Sequence, residues 1–79
     1  MYQLYIDKTK LILKVKPLDK HFVGWIDETQ LTEDTILTYN DNYKMSKNRK
    51  VLVQHAREIK ALWLAEAQMI VQKIEEIKI

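Results

Sequence analysis

The sequence predicts an α+β fold: a three- to four-stranded antiparallel β-meander over residues 1–43, followed by one long amphipathic α-helix over 46–78. Three observations predict it. Apolar and polar residues alternate in the first half, apolar residues recur at steps of three and four in the second, and the single glycine and single proline both fall in the first half. At 79 residues the chain is one domain, 1–79, with the helix serving packing and oligomerisation.

Tyr2, Leu4 and Ile6 alternate with Gln3, Tyr5 and Asp7, the pattern of a half-buried strand. Asp7-Lys8-Thr9-Lys10 supplies a polar turn, after which Leu11, Leu13 and Val15 alternate with Ile12, Lys14 and Lys16. Pro17 closes this second strand, because proline has no N–H to give to a ladder. After Leu18-Asp19-Lys20, the apolar run Phe22-Val23-Gly24-Trp25-Ile26 reads as a third strand. Thr35-Ile36-Leu37-Thr38-Tyr39 reads as a fourth, shorter one, and Asn40-Asp41-Asn42 as a turn, since Asn and Asp side chains bond their own backbone. Alternation alone leaves the strand order open.

The segment Val23-Gly24-Trp25-Ile26-Asp27-Glu28-Thr29-Gln30-Leu31 resembles the closing segment of SH3-like barrels. There a Gly-aromatic-aliphatic strand runs into a one-turn helix ending in an apolar residue. The resemblance spans nine of 79 residues, lacks the glycine-rich turns that precede this segment in the family, and carries no functional residue across.

Ser46 reads as the helix N-cap. From Leu52 the apolar positions are 52, 56, 59, 63, 67, 70, 74 and 77, close to the helical period throughout. Val51, Leu62 and Met69 flank this seam on one side, and Val53, Leu64 and Val71 on the other. About 32 residues at roughly 1.5 Å rise give a rod near 48 Å. A compact chain of this length is only about 30 Å across, and a strand spans about 17–20 Å.

The sheet can therefore cover about half of the seam. The uncovered half predicts packing against another chain, most simply a second copy, through Trp63, Ala67, Ile70, Ile74 and Ile77. The eleven-residue spacing of 52, 63 and 74 suits nearly straight helices. The alternative is a break near residue 65 that folds the helix back as a hairpin. Leu64-Ala65-Glu66-Ala67-Gln68-Met69 holds no helix-terminating residue.

Composition narrows the function classes. With 47% hydrophobic residues, 30% charged and a net charge of +2, the chain is not a disordered polyelectrolyte. The absence of cysteine removes a disulfide scaffold, a thiolate zinc site and a Cys nucleophile. One glycine cannot build a phosphate-cradling loop. Domains below roughly 70–80 residues often need a staple, and oligomerisation is the one left. Met1 is followed by Tyr-Gln-Leu-Tyr-Ile-Asp, with neither the basic head nor the apolar run of a signal peptide. The most apolar stretch, 59–71, is interrupted by Lys60, Glu66 and Gln68, so no membrane span and a cytoplasmic location are expected.

Catalytic groups are sparse. The histidines are His21 and His55, the latter three residues before Glu58, and no HExxH pattern is present. Ser46 has no motif around it, and Asp27, Glu28, Glu33 and Asp34 read as a solvated loop without calcium-loop spacing. No catalytic residue, metal, cofactor or small-molecule substrate is expected. Basic residues offer the one chemical hint. Lys8, Lys10, Lys14, Lys16 and Lys20 crowd the first hairpin, while Lys44, Lys47, Arg49 and Lys50 stand at the start of the helix, just after Tyr39 and Tyr43. Lysines on strand edges also guard against aggregation. Cations in a first helical turn oppose the dipole, which favours an anionic partner.

The expected function is that of a small non-enzymatic protein–protein interaction or regulatory (inhibitor) protein acting as a homo-oligomer on an unidentified protein partner. Short, cysteine-free, Lys- and Ile-rich chains are common among accessory proteins of bacteriophages and mobile elements, so size and composition alone suggest such a source. The alternative is a nucleic-acid binder whose anion contacts are Lys8, Lys10, Tyr43, Lys44, Lys47, Arg49 and Lys50.

Overall fold

The computed structural model describes residues 1–78. Strands β1 (Tyr2–Asp7), β2 (Ile12–Pro17), β3 (Leu37–Thr38) and β4 (Tyr43–Ser46) form one antiparallel sheet in the order β2-β1-β4-β3, followed by a single helix, α1 (Arg49–Glu75). Two short 3-10 helices, Lys20–Trp25 and Glu28–Gln30, lie between β2 and β3. The fold is α+β. Its sheet is two hairpins joined where β1 pairs with β4, which puts β1 and β4 in the centre and β2 and β3 at the edges.

The β1–β2 turn follows from Asp7, whose Oδ1 accepts the Lys10 N–H at 3.0 Å. The chain then reverses through Leu11, which has a φ of 57°. That is the left-handed region, and it costs a residue with a Cβ about 1–2 kcal/mol. The β3–β4 turn is held by Asn40, whose Oδ1 accepts from the backbone N–H groups of Asn42 and Tyr43.

Register separates the faces of the sheet. Leu4 stands opposite Val15 and Lys44, so these share one face, while Gln3, Tyr5, Tyr43 and Met45 share the other. The first face carries α1: Val53, Ala56 and Lys60 border a trough with Leu13 and Val15. The second is covered by the longer 3-10 helix. Buried Gln3 donates to Asp19 Oδ2 at 3.1 Å and accepts from the Asp19 N–H at 2.9 Å, which fixes where that helix starts. Phe22 then packs on Tyr43 and edge-on to Tyr39. The buried apolar side chains are Leu4, Phe22, Met45 and Leu52 among the described residues.

Three expectations are corrected. Residues 22–26 do not form a strand; 20–25 are a 3-10 helix, because the Gln3–Asp19 clamp and the Phe22 anchor lay the segment across the sheet. The SH3-like resemblance fails at that strand, although a one-turn 3-10 helix does follow it at Glu28–Gln30. The fourth expected strand, 35–39, shortens to Leu37–Thr38, and a strand lies across the expected boundary at Tyr43–Ser46.

Ser46 is therefore a buried strand residue. The N-cap is Asn48, whose Oδ1 accepts the Lys50 N–H at 3.0 Å, and the Asn48 N–H donates to Ser46 Oγ. The helix runs over 49–75 where the periodicity suggests 46–78, giving about 40 Å of rod at 1.5 Å per residue. The molecule measures 60 × 22 × 16 Å, with a radius of gyration of 16.3 Å. A compact chain of this length would have about 12 Å.

Candidate interaction surface

The sheet supports only the first half of α1. Leu52 is fully buried, Ile59 and Trp63 are half-buried, and every residue from Leu64 to Lys78 is exposed. The last tie between helix and sheet is an ion pair at 2.6 Å between Lys8, in the β1–β2 turn, and Glu66. Beyond it the apolar residues continue: Met69 and Ile70 are each 59% exposed and Ile74 is 61% exposed. No break or hairpin occurs near residue 65.

Of the five side chains assigned to an oligomer interface, Trp63, Ala67, Ile70 and Ile74 project from α1 within an arc of about 60° at 100° per residue, and Ile77 lies just past the helix end. Their arc is the one that Leu52, Ala56 and Ile59 use against the sheet. The exposed stripe therefore extends the core-packing face beyond the sheet.

Where stripe and sheet meet, Leu11, Leu13, Lys60, Trp63, Leu64 and Ala67 line a groove of about 410 Å³. Sequence reasoning missed the two leucines contributed by the hairpin. Leu11 is the clearer omission. It combines left-handed backbone with 72% exposure, a placement for which the fold of a single chain offers no return.

The basic residues are not assembled into one patch. Lys8 is bound to Glu66, sixteen residues along the helix from Lys50, or about 24 Å. Lys10 is exposed beside it, at the hairpin end of the sheet. Lys44 donates to Thr38 Oγ1 on the sheet, and Tyr43 is engaged by Tyr5 and Phe22, so its ring is part of the packing. Lys47 precedes the N-cap and lies outside the first helical turn, which corrects its expected place. Arg49, Lys50 and Arg57 do converge, around a shallow trough with Val53 and Gln54. Lys16 is paired with Asp19 at 3.2 Å.

The shifted carboxylates are structural. Asp19 is held below the usual carboxylate range by the Gln3 and Lys16 side chains. Asp7 is lowered by the Lys10 backbone N–H and the Tyr5 hydroxyl, and that same hydrogen bond raises the Tyr5 phenol. Asp27 is lowered by the Thr29 hydroxyl and N–H. The side chain of Glu28, which the sequence groups with Asp27, Glu33 and Asp34, lies outside the described set. His55 stands 3.8 Å from Glu58, and its enclosed Nε2 has no hydrogen-bond partner. Among the described residues no three His, Asp or Glu side chains group as a metal site, and no helix is long and apolar enough to cross a membrane.

Comparisons with protein-family models, curated proteins and solved structures find no match for this chain. The functional reading rests on its own geometry.

Proposed function

We propose that this protein is a non-enzymatic interaction module whose working unit is a homo-oligomer assembled through the distal half of α1. One observation carries the reading: the face of α1 that packs on the sheet continues, solvent-exposed and apolar, through Ile70 and Ile74 with nothing beneath it. Side chains of that kind each gain about 1.5–3 kcal/mol when fully buried. Assembly would leave the outer sheet face and the 3-10 segments free, with Trp25 and Tyr39 exposed there in edge-on contact, as the surface offered to a protein partner. A regulatory or inhibitory role, and a bacteriophage or mobile-element source, agree with the size and composition alone.

The test is sedimentation equilibrium at micromolar to tens of micromolar protein. A mass of at least two chains supports the reading, and a monomer throughout that range overturns it. A second reading, nucleic-acid binding, has one observation in its favour, the convergence of Arg49, Lys50 and Arg57. Mobility shifts that weaken steeply with salt would support it, and no shift at low salt would discard it.

A further inference from the structure

We propose that the second copy lies antiparallel on the distal stripe, with the pair centred between Gln68 and Met69 and each helix end seated in the other chain's groove. The inference rests on the self-association reading above and specifies its geometry.

Distal and proximal parts of α1 present one continuous face, and the proximal part of that face is occupied by the chain's own sheet. A second helix running parallel and in register along the stripe would bring its own proximal half, and its own sheet, into that same volume. An antiparallel helix avoids the collision: its end arrives where the sheet begins, and the two sheets sit at opposite ends of the helix pair.

Trp63, Ala67, Ile70, Ile74 and Ile77 are spaced 4, 3, 4 and 3, a heptad seam. Beside it stand Glu66 and Lys73 on one flank, and Leu64 and Val71 on the other. In an antiparallel pair each flank meets its own counterpart. Centring the pair between Gln68 and Met69 sets Glu66 against Lys73 of the second copy, twice by symmetry, and Leu64 against Val71, also twice. Sliding one helix by a heptad, which moves the centre by half a heptad, sets either Glu66 against Glu66 or Lys73 against Lys73. A parallel pair sets Lys73 against Lys78 on both sides and leaves Glu66 facing Val71. Like charges across a helix interface select against these alternatives.

The favoured centre places Ile74 of the second copy opposite Trp63, at the 410 Å³ groove walled by Leu11 and Leu13. An exposed leucine kept in left-handed backbone is then accounted for, since it closes over the end of the neighbouring helix. Glu66 would accept from Lys8 of its own chain and Lys73 of the other, which one carboxylate can do.

The experiment uses the full chain, which has no cysteine of its own. A Glu58→Cys variant carries a nitroxide on the outward face of α1, and dipolar electron paramagnetic resonance reads the distance between the two labels. Antiparallel pairing about the stated centre separates the two positions by 21 residues, about 32 Å along the axis. The expected distance is beyond 30 Å. A parallel pair holds them at one height, roughly 20–24 Å apart across two helices of about 10–12 Å diameter.

A dimer with the short distance overturns the antiparallel geometry and leaves self-association standing; a monomer overturns both. A second arm mixes Glu66→Lys with Lys73→Glu. Each alone should self-associate about tenfold or more weakly than the parent, and the mixture should restore a one-to-one heterodimer. Lys73→Glu is the cleaner of the two, because Lys8 contacts position 66. Homodimers of undiminished affinity, or a mixture that fails to recover, would contradict the register.

Discussion

Replacing Ile70 by alanine isolates association from folding. Ile70 is 59% exposed, so the single chain draws little stability from it, and alanine is the better helix former. Full burial of an isoleucine is worth about 1.5–3 kcal/mol, so covering the exposed fraction contributes about 1–2 kcal/mol per chain. A symmetric pair contains the residue twice, giving about 2–4 kcal/mol per dimer, or about a 30- to 700-fold rise in Kd at 1.4 kcal/mol per decade. Sedimentation equilibrium on parent and variant gives the two constants. Circular dichroism on protein diluted below the dissociation range checks that the monomer melts as before. A Kd within twofold of the parent, with the monomer intact, would refute the claim that the stripe is an interface.

Four further outcomes are expected. Leu11→Gly should act in opposite directions, raising monomer stability by about 1 kcal/mol as left-handed strain is released while weakening association; denaturant titration of dilute protein and sedimentation separate the two, and a tighter dimer would contradict the groove assignment. Leu52→Ala should cost about 2–5 kcal/mol in chemical denaturation, because the side chain is fully buried between helix and sheet; a loss under 1 kcal/mol would mean that α1 docks elsewhere. Asn48→Ala should cost about 1 kcal/mol by removing the cap on the Lys50 N–H, and an unchanged melting curve would place the helix start at another residue. Asp19 titrates below its ordinary value in the folded chain, so its contribution is present above the unfolded pKa and is lost as pH falls through the lowered folded one; acid titration of Asp19→Asn should show a shallower loss over that window, and an identical acid limb would count against the Gln3–Asp19 clamp.

The parts of the fold written in local periodicity were legible. β1 and β2 alternate cleanly, and α1 repeats at steps of three and four, so both appeared within a few residues of their observed limits. The 20–25 segment was not legible, because what makes it a 3-10 helix is distant: Gln3 bonded across 16 residues to Asp19, and Phe22 resting on Tyr43. Its apolar run looked like a strand for lack of any local signal of those partners. Ser46 and Asn48 are both good cap residues, and only the pairing of Ser46 with Tyr2 decides between them. At the candidate site the exposed stripe could be read from helix length against sheet width. Leu11 could not, since its contribution depends on the hairpin reaching Trp63 and Leu64.

The shape of the molecule bears on why association and folding should be linked here. Among the described residues, four fully or nearly fully buried apolar side chains are a thin core for a chain of this size, and none of them lies beyond Leu52. The twelve helical residues from Leu64 to Glu75 meet the rest of the described chain only at their start, where Leu64 and Ala67 border the groove with Leu11 and Leu13 and Glu66 pairs with Lys8, an exposed pair worth about 0–1 kcal/mol. Helical segments of that length are marginal in water without a packed face, even when they extend an existing helix and so avoid nucleation. The distal helix should therefore fray in the monomer and become rigid in the dimer. Amide exchange there should depend on protein concentration, while exchange in β1 and around Leu52 should depend on it less. Protection over 64–75 that stays the same from nanomolar to millimolar protein would break the link, because it would show that the rod is held by its own chain alone.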